Sequence, residues 1–278
     1  MHARARTAGA DAIILDLEDG VAPPHKAAAR EHIARALAEG FPPRLRVYVR
    51  PNAAASGLFE TDLLAVLGDR VTGIVLPKVA GADEVQDADA WLRAVEIARG
   101  MPAGSLRFIV LIETPPAVLE TRAIAAASPR VVGVAFGADD LAAGMGLPRA
   151  AADVAYPRAH VALAAHAAGV EAIDIVYTAV HDLDGCRAEA RAARALGYTG
   201  KQVIHPRQVA VANEVFAPTP EEVAWAQAVI GALEAAPRGV IMVEGRMVDA
   251  PVIRQARRVL ERAALVAERG GAPAGGTG

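Results

Sequence analysis

The sequence predicts an α/β fold: a (β/α)8 barrel that lacks its first strand and carries a C-terminal helical and lid extension. Three observations predict it. Short β-branched runs alternate with alanine-rich helical stretches, as βα units do. The strand candidates are apolar throughout, the pattern of parallel strands covered on both faces. Ionisable residues gather at their C-terminal ends, where barrels carry their chemistry. A doubly wound open sheet is the competitor, but it normally opens with a glycine-rich phosphate turn. The corresponding turn here is the acidic "LDLEDG".

Taken in order, residues 3–9 read as the end of a helix, and Ala12–Leu17 as the first visible strand. Helix Ala27–Glu39 places Ala29, Ile33 and Leu37 at period four and stops at Gly40, a favourable residue just past a helix end. Further strands follow at Leu45–Arg50, Gly73–Leu76, Phe108–Ile112, Val131–Phe136, Ala172–Val176 and Lys201–Ile204, with helical segments between them. That makes seven, one short of the full barrel, so the first visible strand is expected to be the barrel's second. Residues 218–235 open on a helix-start signature, Thr219 with Pro220 and Glu222. The segment "GVIMVEGRMVDAP" then leads to a final amphipathic helix with Val252, Ile253, Ala256, Val259, Leu260 and Ala263 on one face. The expected divisions are a barrel over 1–217, helices and lid over 218–268, and a disordered tail over 269–278.

Composition narrows the function. The 278 residues easily bury a core, and the 53% hydrophobic content is largely alanine, with 4% aromatic. A net charge of −3 without a basic run gives no footprint for nucleic acid. The single cysteine, Cys186, rules out an intrachain disulfide and a cysteine-based zinc site, so the cytoplasm is the expected compartment. No apolar run reaches transmembrane length, and "MHARARTAGA" lacks the apolar stretch of a signal peptide.

The strand ends supply a coherent set of groups. The first offers Asp16, Glu18 and Asp19, the second Arg50, the third Lys78, the fourth Glu113. The fifth offers Gly137, Ala138, Asp139 and Asp140, and the last two Asp174, Lys201 and His205. Carboxylates with few histidines suit a hard, oxygen-liking cation such as Mg²⁺. Glu113 and Asp140 are the best ligand pair, because each follows an apolar strand and the two strands are consecutive. Each alone reads equally well as a helix cap or a lysine partner. Arg50, a planar and permanent cation, suits a substrate carboxylate, an enolate oxygen, or a buried salt bridge to Asp16 or Glu18. Lys78 fits the substrate end as a neutralising partner of the acidic cluster better than as a Schiff-base nucleophile. The backbone N–H groups of Gly137, Ala138 and Asp139 suit an anionic substrate carboxylate. His160, His166, His181, Asp182 and Cys186 read as structural, and His205 as a positioning group.

In this order, "DAIILDLEDGVAPPHKAAAR", "VYVRPN", "VLPKV", "LIETPPAVL", "VAFGADDLAAGMG", "GYTGKQVIHPRQV" and "VEGRMVDAP" resemble the citrate lyase β-subunit-like proteins. These belong to the aldolase/citrate lyase superfamily, with the malyl-CoA and citramalyl-CoA lyases. The resemblance spans residues 8–265. It implies a (β/α)8 barrel, Mg²⁺ dependence, and cleavage or formation of a carbon–carbon bond beside an acyl-CoA thioester, with a 2-oxo acid as the other partner. By motif it makes Glu113 and Asp140 the metal ligands and Arg50 the stabiliser of the thioester enolate. Asp16, Glu18 and Asp19 become the acidic loop that holds metal-bound water and the arginine. Asp249 becomes the catalytic acid/base, delivered by a lid that often covers a neighbouring subunit, in trimers or hexamers; its context also reads as a helix N-cap ahead of Pro251. The family's usual "LFVPG"-like first strand, with its arginine-containing turn, has no match here. Competing readings are a CoA-independent metal-dependent 2-oxo-acid aldolase, with His25 the only early candidate for its catalytic histidine, a malyl-CoA thioesterase or malate synthase-like enzyme, and a non-catalytic assembly subunit.

Overall fold

A computed structural model describes residues 5–235 and 241–270. The chain divides into two compact units, Met1–Ala212 and Asn213–Gly278. Of the tail 269–278, for which disorder is expected from sequence, residues 271–278 lie outside the described residues.

The first unit is built on seven parallel strands. They are β1 (Ala12–Asp16), β2 (Arg46–Arg50), β3 (Gly73–Leu76), β4 (Arg107–Ile112), β5 (Val131–Phe136), β6 (Glu171–Asp174) and β7 (Gly200–Lys201). They pair strictly in chain order, with β1 and β7 as the sheet's two edges. That order decides between the two α/β topologies: a doubly wound sheet reverses at a switch point, and this one never does. Winding in one direction with right-handed crossovers keeps the helices on one face, as in a TIM-type barrel. Those helices are α1 (Lys26–Glu39), α2 (Phe59–Val66), α3 (Ala82–Ala98), α4 (Pro115–Ala125), α5 (Ala138–Gly144), α6 (Ala155–Ala168), α7 (Leu183–Ala195) and α8 (Pro206–Phe216). Ahead of β1, Ala5 and Arg6 are helical, as the sequence predicts, and Arg6 pairs with Glu39 at the end of α1.

The strands are apolar on both faces because both are buried. Val47, Val49, Ile74, Phe108, Val110, Ile112 and Val134 are buried. A second cluster joins Tyr48, Val75, Ile109, Leu111 and Ala135 across neighbouring strands. Residues two apart share a face of a strand, so this second row continues through Tyr48 to Arg50, Leu111 to Glu113 and Ala135 to Gly137. Ile14, the register partner of Tyr48, likewise leads to Asp16. The inner row thus turns from apolar to ionisable at the C-terminal ends of the strands.

The strand expectations hold for all seven, with shifts at the last two. β6 ends at Asp174, and β7 covers two residues. Here the structure corrects the grouping of Asp174 and Lys201 with the catalytic strand ends. The Asp174 carboxylate accepts two hydrogen bonds from Arg158 of α6, each 2.8 Å, and one from Lys201 Nζ at 2.8 Å. Glu189 of α7 also pairs with Lys201, at 2.5 Å. The group is a closed, buried network between sheet and helices. His205 is likewise local: its Nδ1 accepts the Arg207 N–H at 3.2 Å. A second network lies between α3 and the start of β5. The Arg130 guanidinium donates to both Glu96 oxygens, each at 2.7 Å, and to Asp89 at 2.5 Å.

The second unit holds α9 (Pro220–Ala235), a hairpin of β8 (Ile241–Val243) and β9 (Arg246–Val248), and α10 (Ala250–Gly270). The start of α9 is a reciprocal capping box: Thr219 Oγ1 accepts the Glu222 N–H at 3.2 Å, and Glu222 accepts the Thr219 N–H at 2.8 Å. In the hairpin turn Glu244 and Gly245 have φ of 50° and 75°, as a type I′ turn requires. Ala226, Val229, Val243, Val248 and Ala256 form the core, against which Val252, Ile253, Val259 and Leu260 pack. These last four and Ala256 lie on the face expected for the final helix. Among the described residues, no helix is long and apolar enough to cross a membrane.

Candidate active site

The site is assembled by the loops that leave β1 to β5. Asp16 closes β1 opposite Arg50 in the strand register, so the two side chains meet by pairing geometry alone. Arg50 Nε and Nη2 donate to the two Asp16 oxygens at 2.6 and 2.7 Å, a fork-to-fork contact. The N–H groups of Glu18 and Gly20 also donate to Asp16, at 2.9 and 3.0 Å. Burial alone would raise the Asp16 pKa, but these donors hold it below the ordinary value. Burial also works against the Arg50 charge, yet Asp16, Glu18 and Glu113 raise its pKa, so it stays a cation.

Glu18, only 3% exposed, lies between two cations: Arg50 Nη1 at 3.2 Å and Lys78 Nζ at 2.8 Å. These are ion pairs without aligned hydrogen bonds, and both Glu18 oxygens are otherwise unpartnered. Lys78 also reaches Asp19 at 2.9 Å. Burial opposes the Lys78 charge, but Glu18 and Asp19 raise its pKa. A lysine so held is a poor Schiff-base nucleophile. Its backbone is unusual: φ is 54°, a left-handed conformation that costs a lysine energy. That conformation aims its N–H at Glu113 Oε1, 2.7 Å away.

Glu113 follows β4 and is 3% exposed. Burial raises its pKa, the Lys78 N–H lowers it, and the charges of Asp140 and Glu18 raise it again, to about 7. Its other oxygen lies against Gly137, where a Cβ would stand 2.8 Å from Oε2 and 2.5 Å from the Glu113 Cβ. Gly137 is therefore a residue of close approach. The structure corrects its expected role as an anion donor, since its N–H is already given to Ile112 at 3.0 Å. Ala138 is buried in the first turn of α5, and Asp139 is turned outward, 3.9 Å from Arg149. Asp140, in the same turn, is half-buried.

Sequence reasoning therefore brings together Asp16, Glu18, Asp19, Arg50, Lys78, Glu113 and Asp140, and the structure adds residues it assigned no role. Asn52, Asp62, Arg30 and Lys26 support the acidic loop; Lys26, Arg30 and Asn52 lie inside the quoted motifs, but their contacts cross from one element to another and nothing in the motifs assigns them a role. Asp249 lies in the second unit as the N-cap of α10, accepting the Val252 N–H at 3.2 Å. A cleft of about 580 Å³ opens beside Glu18, Asp19 and Lys78, with Pro23, Pro24, Ala53 and Leu58 on its walls.

Among the described residues, no three metal-type side chains converge. Mg²⁺ does not need three, since it is held by one or two carboxylates and keeps several waters. Glu113 and Asp140 fit it. Both are oxygen donors, and Glu113 is a buried carboxylate pressed by like charge, which a divalent cation would relieve.

Comparison with known proteins gives the family. The model of the HpcH/HpaI aldolase/citrate lyase family matches residues 1–206. The chain belongs to the HpcH/HpaI aldolase/citrate lyase family. Within that aldolase/citrate lyase family it is 36% identical to the citrate lyase subunit beta of Haemophilus influenzae, covering 91% of this chain and 89% of that protein. It is 34% identical to the mitochondrial citramalyl-CoA lyase of Rattus norvegicus, covering 93% and 81%. A crystal structure of the protein CitE from Mycobacterium tuberculosis, in complex with magnesium, acetoacetate and coenzyme A, superposes with a TM-score of 0.74. The sequences are 35% identical, and 95% of each chain is covered.

Proposed function

We propose that the chain is a Mg²⁺-dependent carbon–carbon lyase. Its substrate would be a 3-hydroxyacyl-CoA thioester such as malyl-, citramalyl- or citryl-CoA, cleaved to (or formed from) an acyl-CoA and a 2-oxo acid. One observation carries the reading: a guanidinium clamped by Asp16 sits beside the buried carboxylate Glu113 in a chain whose relatives include a citramalyl-CoA lyase.

The reaction breaks the bond between C2 and C3 of the acyl chain. The C3 hydroxyl loses its proton and becomes the carbonyl of the 2-oxo acid. The bonding pair passes to the thioester as an enolate, which gains a proton at C2 to give the acyl-CoA. Arg50 serves the enolate. Asp16 takes its Nε and Nη2 edge and Glu18 lies 3.2 Å from Nη1, which leaves the second protons of Nη1 and Nη2 for the thioester oxygen. Asp16 and Glu18 fix that guanidinium in advance, so no reorganisation accompanies the reaction. Glu113 and Asp140 would hold the Mg²⁺, which when bound supplies Lewis acidity and orientation for the oxygens of the oxo-acid half. Lys78 keeps the acidic loop neutralised and, through its N–H, the Glu113 carboxylate turned. Asp249 is the proposed proton carrier, and the trimeric or hexameric assembly and the cytoplasmic setting belong to the same proposal.

A panel of 3-hydroxyacyl-CoA esters tests it. The reading expects acyl-CoA and 2-oxo acid in equal amounts from at least one of them. Free CoA without any oxo acid would instead mark a thioesterase.

A further inference from the structure

The Glu18 carboxylate is buried, yet neither oxygen has an aligned hydrogen bond; each only faces a cation. How well it meets both cations then depends on where its backbone places it, and that backbone is held from the helix side. Lys26 Nζ donates to the carbonyls of both Leu17 and Glu18, at 2.7 and 2.8 Å. Asn52 Nδ2 donates to the same Leu17 carbonyl at 3.0 Å. Asn52 is itself fixed, because its Nδ2 and its N–H both donate to Asp62 Oδ2, at 2.5 and 2.9 Å. Asp62 is fully buried, and its other oxygen accepts from Arg30 at 2.7 Å.

We propose that Asn52, anchored by Asp62 and Arg30, is a positioning residue for the lyase reaction: it locks the Leu17–Glu18 peptide so that Glu18 meets Arg50 and Lys78 together. The inference rests on the lyase reading for its effect on turnover, but not for its structural content. Leu17, fully buried, alternates with Asp16 and Glu18 and so falls on the opposite face of the chain, and turning this one peptide would swing the Glu18 side chain off both cations. Arg50 would then keep Asp16 but lose its second anchor. Asn52 also lines the cleft beside Glu18, and direct contact with substrate would show as a change in KM. A positioning role predicts a change in kcat.

Two measurements on the full chain decide it. The first is steady-state cleavage of the best thioester by Asn52→Ala, alone and combined with Glu18→Gln. Orienting partners of this kind cost about 10–100-fold when removed, so kcat is expected to fall by about that factor with KM unchanged. With Glu18→Gln already present, the added cost is expected to shrink below about threefold, because residues that act as a unit are not additive. An equal loss in both backgrounds, or a loss confined to KM, would overturn the proposal. The second is amide hydrogen exchange over residues 16–20, which needs no substrate. Asn52→Ala is expected to speed exchange there while leaving β3 to β5 unchanged; unchanged exchange would overturn the proposal even if turnover fell. If the wild type cleaved no thioester, the lyase reading would fail, and the exchange result would still decide the positioning claim. Lys26→Met, which keeps the aliphatic stem but not the carbonyl clamp, serves as the second variant and is expected to show the same exchange signature.

Discussion

Arg50 and Gly137 show how much depends on single side chains at the mouth. Arg50 gives a fork to Asp16 and a separate edge to Glu18, a geometry that lysine cannot reproduce. Arg50→Lys is expected to lower kcat by about 10²–10³, the usual cost of a lost oxyanion donor, with the thermal midpoint little changed. Steady-state kinetics beside a melting curve checks both halves of that statement. Gly137→Ala tests a different constraint. Its added Cβ would stand 2.5 Å from the Glu113 Cβ, so either Glu113 or the start of α5 must move. The expected result is a destabilisation of about 1–3 kcal/mol, as for other overpacked sites, together with weakened Mg²⁺ binding by calorimetry. Unchanged Mg²⁺ affinity would mean that Glu113 is not a ligand.

Among the elements, legibility followed the range of the interaction. Gly73–Leu76 and Val131–Phe136 were readable to the residue because a β-branched run between polar loops has few alternatives. The α9 start was readable because its capping box spans four consecutive residues, Thr219 to Glu222. The same holds for Asp16, Arg50, Glu113 and Asp140, each marked by an abrupt change from apolar strand to charge. What sequence did not show was pairing across distance. Asp174 and Lys201 resemble strand-end catalytic groups until Arg158 and Glu189 are seen behind the sheet. Arg130 and Glu96 gave no signal, yet they join α3 to β5 as a buried pair. Burial would raise the Glu96 pKa, but the Arg130 guanidinium and the N–H groups of Leu106 and Gly104 pull it from 4.5 to about 2. A carboxylate whose pKa falls on folding stabilises the fold at neutral pH. That contribution, about 3 kcal/mol, is complete above pH ~4.5 and is lost as pH falls toward 2. Denaturant midpoints measured from pH 7 to 3 are expected to fall for the wild type and to fall less for Glu96→Gln. Parallel slopes would remove Glu96 from the account.

For the whole molecule, the strand order and the inner-row alternation do the organising. A sheet that never reverses brings the C-terminal ends of β1 to β5 to one mouth, and period two puts Asp16, Arg50 and Glu113 on its inner side. The proposed function then depends on two charges of opposite sign held close together. In that proposal Arg50 is the fixed cation that serves the enolate, and Glu113 and Asp140 are the carboxylates that would hold Mg²⁺. The second unit presents Asp249 at a helix start, next to a tight hairpin. The most direct test is single-turnover cleavage of the preferred 3-hydroxyacyl-CoA with saturating Mg²⁺, after chelation, and with Glu113→Gln. The account predicts acyl-CoA and 2-oxo acid in equal amounts with Mg²⁺, and a loss of at least about 10³ in rate for the chelated enzyme and the variant. Full-rate cleavage by either one would contradict it.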